Sequence, residues 1–131
     1  MYLKIGELAE RTGCQAETIR YYEQRGLLRA PARSSGNYRL YGDAHVGRLT
    51  FIRRCRSLDM SLDEVRALLA LQDHPEQPCG SVDQLVDQHI ADIARRMSEL
   101  QSLQEALVRL RSRCQSTGRV GEYEILRDLV G

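Results

Sequence analysis

The strongest constraint on this chain is a stretch without proline or glycine, Ser81 to Ser112, which follows Asp73-His74-Pro75-Glu76-Gln77-Pro78-Cys79-Gly80. At 1.5 Å per residue it makes about 48 Å of uninterrupted helix. Val86, Ile90, Ile93, Met97 and Leu100 recur at spacings of 4, 3, 4 and 3, and Leu103, Leu107 and Leu110 continue in a neighbouring stripe. So narrow a stripe is the seam of a coiled coil. The helix outreaches a head of about 75 residues, which predicts an antiparallel partner helix from a second chain. Ser81-Val82-Asp83-Gln84 reads as a capping box at its start. Gly118 and Gly121 mark a loop after it, and Glu122 to Val130 a short C-terminal helix.

The residues before this run have shorter periods. Ile5, Leu8, Ala9 and Thr12 have helical spacing and predict a first helix over 5–12. Gly13 breaks it, and a second helix covers about Gln15 to Arg25, stopped by Gly26. Two short helices joined by a tight turn containing Gly fit a helix-turn-helix. After Pro31, residues 32–41 form a β-hairpin with Gly36 at the first central position of a type II′ turn. A third helix starts with Asp43 as its N-cap and carries Val46, Leu49 and Ile52 inward. Ser61-Leu62-Asp63-Glu64 is a capping box for a fourth helix, whose Val65, Leu68 and Leu69 face the core. Pro75 and Pro78 turn the segment after it into a linker.

A formal net charge of +1 conceals an asymmetry. Residues 1–56 hold 11 Lys and Arg against 5 Asp and Glu, whereas residues 57–131 hold 8 against 13. Such a division suggests that only the first half touches phosphate. A helix fits the major groove and a basic hairpin can follow the adjacent backbone, so the expected partner is double-stranded DNA. Arg20 and Tyr21, with Thr18 beside them, fall on the recognition helix. Arg reads guanine bidentately, and Tyr reaches phosphate or a thymine methyl. Tyr22 is expected in the core. Arg33, Tyr38 and Arg39, with Asn37 at the turn, should grip the DNA backbone. Arg53 and Arg56 are further phosphate candidates, although cations at a helix end also stabilise its dipole.

No apolar run approaches the roughly 20 residues that span a bilayer, and no signal-peptide core follows Met1. No membrane partner is expected, and the expected location is the cytoplasm. Cys14, Cys55, Cys79 and Cys114 would then meet a reducing compartment, where thiolate chemistry is favoured over a structural disulfide. Cys14 and Cys55 read as small buried hydrophobes. No Ser/His/Asp set, phosphate loop or pair of catalytic carboxylates stands out, so an enzyme is not expected.

Ile5-Gly6-Glu7-Leu8-Ala9, Thr18-Ile19-Arg20-Tyr21-Tyr22-Glu23, Gly36-Asn37-Tyr38-Arg39-Leu40-Tyr41 and Leu49-Thr50-Phe51-Ile52-Arg53, in this order and spacing, resemble the MerR family of transcriptional regulators. The long helix and terminal loop resemble the layout of its metal-sensing members. Cys79-Gly80-Ser81 and Asp59-Met60-Ser61-Leu62-Asp63-Glu64 are most similar to the cadmium and lead branch. The resemblance implies a mainly α protein: a winged helix-turn-helix DNA-binding domain over 1–75, a linker and antiparallel coiled-coil dimerisation helix over 76–113, and a C-terminal metal-binding loop and short helix over 114–131. It further implies a homodimer on a palindromic promoter operator, activating heavy-metal resistance genes with RNA polymerase at the promoter. Metal would change the angle between the heads, bend and untwist the DNA, and realign the promoter elements. Distorting a short duplex costs on the order of 1–6 kcal/mol, within reach of phosphate contacts from two heads.

Cys79 sits just before the long helix and Cys114 just after it. In an antiparallel pair the start of one helix lies beside the end of the other. Cys79 would then meet Cys114 of the partner subunit, giving two symmetric metal sites. The family resemblance implies a third cysteine nine residues after Cys114, where this chain has Tyr123. A phenol with a pKa of about 10 is a poor ligand at neutral pH. Two thiolates alone suit a linear soft ion, whereas zinc and cadmium prefer four ligands. His89, one and a half to two turns into the helix, is a nitrogen candidate, and Glu122 or Glu124 an oxygen candidate. The expected effector is a divalent heavy-metal ion, Cd or Pb, with Zn or Hg as alternatives. A MerR-like DNA-binding regulator that has lost metal sensing and answers another signal is the alternative reading.

Overall fold

The computed structural model describes residues 2–113 and 124–130, in two compact units divided between Leu85 and Val86. The first unit opens with α1 (Ile5–Thr12) and α2 (Ala16–Gln24). Gly13 ends α1 in the left-handed conformation, φ +73°, and its N–H closes on the Ala9 carbonyl at 2.9 Å. After α2 the C-cap is Arg25, and the left-handed Gly26, at φ +75°, follows it with its N–H on the Glu23 carbonyl at 3.1 Å. The first helix falls where its apolar spacing puts it. The second, expected over about Gln15 to Arg25 from its bounding glycines, is one residue shorter at each end.

Strands β1 (Ala32–Arg33) and β2 (Arg39–Leu40) pair antiparallel, Ala32 opposite Leu40 and Arg33 opposite Arg39. The turn between them differs from the type II′ expectation. Asn37, not Gly36, takes positive φ (+64°), after a tight turn in which the Asn37 N–H donates to the Ser34 carbonyl at 2.9 Å. A tight turn followed by a left-handed residue is a three-residue hairpin loop, and Asn is among the few side chains that tolerate that position. Gly36 lies close under the wing tyrosine: a Cβ there would stand 3.0 Å from Cε2 of the exposed Tyr38.

Helix α3 (Asp43–Ser57) starts at Asp43 rather than being capped by it. Gly42 is the N-cap, and its N–H donates to Nδ1 of His45 at 3.0 Å. His45 Nε2 lies 3.1 Å from the Arg29 carbonyl, so the proton belongs on Nε2. Helix α4 (Leu62–Gln72) has the reciprocal cap its sequence promises: the Glu64 N–H donates to Ser61 Oγ at 3.1 Å, and the Ser61 N–H to Glu64 Oε1 at 3.0 Å. At its far end the Arg48 guanidinium forks onto Asp73 at 2.8 and 3.3 Å and holds that carboxyl below its ordinary pKa. Leu8, Ile19, Leu27, Tyr41, Leu49, Ile52, Val65 and Leu69 form one enclosed core, with Tyr22, Cys55 and Met60 at its margin.

Helix α5 (Gly80–Ser112) runs 33 residues, about 50 Å. It begins one residue before the expected cap. The Cys79 carbonyl accepts from the Asp83 N–H at 3.0 Å, and Ser81 lies inside the first turn rather than at its head. The seam residues Val86, Ile90, Ile93, Met97, Leu100, Leu103 and Leu107 are 36–66% exposed. In the second unit α6 (Glu124–Val130) is joined to the end of α5 by an Arg113–Asp128 ion pair at 3.4 Å. The expected loop with Gly118 and Gly121, and the ligand candidates Cys114 and Glu122, lie outside the described residues. Among the described residues no helix is long and apolar enough to cross a membrane.

Removing the Ser61 hydroxyl should cost about 1 kcal/mol of stability, because the first turn of α4 loses its acceptor. Urea denaturation of Ser61→Ala measures this, and an unchanged midpoint would show that the cap contributes nothing.

Candidate nucleic-acid interface and metal positions

Helix α2 divides the expected DNA-contact residues between two open grooves. Thr18 and Tyr21, three residues apart and hence on one face, line the first with Glu17, Tyr22, Arg56 and Leu62. Arg20 faces the second, which the wing completes with Arg33, Asn37, Tyr38 and Arg39, and the N-terminal segment with Lys4 and Ile5. Among the described residues Arg20 has no hydrogen-bond or ion-pair partner, so its guanidinium is available to a ligand. Tyr21 is 44% exposed and carries Arg25 over its ring at 5.9 Å, whereas Tyr22 is buried as expected. Burial is the main cause raising the Tyr22 hydroxyl above its ordinary pKa.

On the wing, Arg33 Nη1 donates to the Asn37 carbonyl at 3.2 Å. This neutral acceptor steadies the guanidinium while leaving its charge uncompensated. Arg39 differs: its Nη1 lies 3.4 Å from Oε2 of Glu23 on α2. The same carboxylate accepts the Tyr41 hydroxyl. Tyr41 is wholly enclosed, and burial, then the Glu23 contact, pushes its pKa up to about 12. The backbone of Tyr41 also exchanges both hydrogen bonds with Leu3, at 2.7 and 2.8 Å. That bridge brings Lys4 beside the wing, its ammonium 5.2 Å from the centre of the Tyr38 ring. Sequence reasoning missed Lys4, because only the Leu3–Tyr41 pairing puts it there.

Arg53 and Arg56 already have structural work. Arg53 Nη1 donates to the Thr12 carbonyl at 2.8 Å, closing the C-terminal end of α1, and Arg56 Nη1 donates to the Met60 carbonyl at 2.6 Å. Arg56 also lines the Thr18–Tyr21 groove, whereas Arg53 lines neither.

Of the cysteines, Cys55 is buried and Cys14 half-buried against the core. Burial raises the Cys55 thiol, which keeps it protonated and a poor ligand. Cys79 is exposed at the head of α5, with its carbonyl committed to the helix and its thiol reduced. His89 is buried on α5, ten residues past Cys79. That is about 15 Å along the axis, nearly three turns rather than two. Among the described residues no group of three or more His, Cys, Asp or Glu lies close enough to hold an ion. An exposed thiol suits a soft metal, but the described residues of one chain do not complete a ligand set.

Residues 3–72 match the family model described as MerR HTH family regulatory protein, and residues 46–110 the model described as MerR, DNA binding. The chain is 46% identical over 111 residues to an HTH-type transcriptional regulator ZntR homolog of Haemophilus influenzae, covering 85% of this chain and 82% of that protein. It superposes on the transcription regulator PbrR691 of Ralstonia metallidurans in complex with lead(II), with TM-score 0.85 and 50% identity, covering 97% and 98% of the two chains. The regulator MerR of Bacillus megaterium in complex with mercury(II) gives TM-score 0.74 and 33% identity, over 98% of this chain and all of that one. These relatives are transcriptional regulators, not enzymes.

The shared carboxylate makes a stability prediction. Tyr41→Phe deletes a buried donor to a charged acceptor and should cost about 1.5–3 kcal/mol near neutral pH, read by urea denaturation. Because the folded-state pKa is raised, the contribution of Tyr41 is fully present below about pH 10 and is lost as pH rises towards about 12. The phenylalanine variant should therefore lose less stability than wild type across that window, and parallel curves would refute the assignment.

Proposed function

Because the chain belongs to the MerR family of helix-turn-helix regulators, we propose that it binds a palindromic promoter operator as a homodimer and activates heavy-metal resistance genes when a divalent thiophilic ion binds. The observation that carries the DNA part is the groove in which the unpartnered Arg20 of α2 meets Lys4, Arg33 and Tyr38. A base-reading side chain and backbone-gripping cations on one surface are what a helix in the major groove and a wing on the adjacent backbone require. Arg20 and Tyr21 read bases, with Thr18, Arg33, Asn37, Tyr38 and Arg56 on sugar and phosphate. Arg39 and Arg53 contribute from behind, through Glu23 and the end of α1.

The uncovered seam of α5 supports the homodimer, since burying it needs an equally apolar face. Antiparallel pairing of two α5 helices would carry Cys79 to the far end of the partner helix, where Cys114 of the partner subunit follows. Two thiolates would supply the soft donors for Cd, Pb, Zn or Hg, and Glu122 a harder one; His89, buried about 15 Å along the helix from Cys79, is left out of that set. The lead and mercury complexes of the two structural relatives support a heavy-metal effector for this chain as well. A reducing cytoplasm would keep these thiols available, and the DNA-bound dimer would act on RNA polymerase through the shape of the promoter.

Arg20→Ala should abolish preference for a duplex selected by the wild-type protein from a random library, with nonspecific binding retained. Arg33→Ala should weaken binding to every duplex alike and reduce the salt slope by about 0.9 per subunit. Electrophoretic shifts across a salt series that show neither change would remove the DNA reading. For the metal, titrating reduced protein with Cd(II), Pb(II), Zn(II) and Hg(II) should produce thiolate-to-metal absorption that Cys79→Ser loses. Absence of absorption at stoichiometric metal, or equal absorption in the variant, would leave the regulator without its metal and favour a different signal.

A further inference from the structure

Glu23 stands where the recognition helix meets the wing. Its side chain is 13% exposed, accepts the Tyr41 hydroxyl, and lies 3.4 Å from Arg39 Nη1. Arg39 nevertheless lines the same groove as Lys4, Arg20 and Arg33, with 35% of its side chain exposed. Its guanidinium is therefore within the DNA-facing groove but already holds an anion. The contact is an ion pair and not a hydrogen bond, since Arg39 Nη1 has no hydrogen-bond partner among the described residues. Carboxylate and phosphate compete for a guanidinium through the same attraction of charges.

We propose that Glu23 is an internal substitute for phosphate, which withholds Arg39 from DNA and so limits how strongly the groove binds sequence-independently. This rests on the DNA-binding reading above and adds a specificity-setting role to it. Nonspecific affinity comes from cations that displace the counterions of the duplex, and an arginine neutralised beforehand displaces none. The groove then grips with Lys4, Arg20 and Arg33, so sequence reading by Arg20 supplies a larger share of the total. The Tyr41 bond holds the carboxylate in place while DNA competes for Arg39.

Glu23→Gln tests this, because the amide oxygen still accepts from Tyr41 while the charge is lost. Binding would be measured to a mixed-sequence duplex and to the duplex selected by wild type, each over a salt series. The variant should bind the mixed duplex several-fold more tightly, with a salt slope steeper by about 0.9 per subunit, and discriminate less between the two. Adding Arg39→Gln to it should return the slope to the wild-type value. Arg39→Gln alone should lower affinity without changing the slope, since it uncovers an anion and removes no phosphate contact. An unchanged slope in Glu23→Gln, a steep slope in the double variant, or a flattened slope in Arg39→Gln would each overturn the proposal. Wild-type protein that binds neither duplex would instead defeat the DNA reading itself.

Discussion

Seven apolar side chains along one face of α5, from Val86 to Leu107, are left facing solvent by their own chain. Covering each contributes roughly 1–2 kcal/mol, since all are already partly shielded. In a symmetric pair the gain occurs twice, and it matches or exceeds an association cost of about 4–15 kcal/mol. A 33-residue helix with that stripe is poorly explained as a solitary element. The proposed regulator depends on covering it, since only an antiparallel pair would bring thiols of different chains to the same end.

The head is built on a different principle, polar contacts between elements distant in sequence. Tyr41 joins three of them. Its ring fills the core, its backbone pairs with Leu3, and its hydroxyl reaches Glu23 on α2. The wing is only two residues per strand, too short to hold its place by its own ladder. It is held instead by this residue and by Arg39. Under the proposed function, rigid placement of the wing against α2 would let the groove between them distinguish one duplex from another.

What the sequence made legible was local. Gly13, the Ser61–Glu64 cap and the 3.6-residue periods of α1, α3 and α4 act within a few residues, and each stands where its spacing placed it. The misses share a cause. Gly36 and Asn37 both suit a left-handed position, and in the three-residue loop it is Asn37 that takes it. Asp43 is a good cap, but the His45 ring serves the Gly42 N–H instead. Arg39, Arg53 and Arg56 were legible as cations. Their partners Glu23, Thr12 and Met60 depend on tertiary packing, so what each cation does was not. Lys4 joins the groove through the pairing of Leu3 with Tyr41, residues far apart in sequence, which no periodicity announces.

The claim on which the rest stands is that the α5 face is covered by a second copy of this chain. Sedimentation equilibrium on wild type and on a variant carrying Ile90→Glu and Ile93→Glu tests it most directly. The account predicts twice the chain mass for wild type and the mass of a single chain for the variant. A wild-type protein that sediments as one chain at micromolar concentration would contradict it.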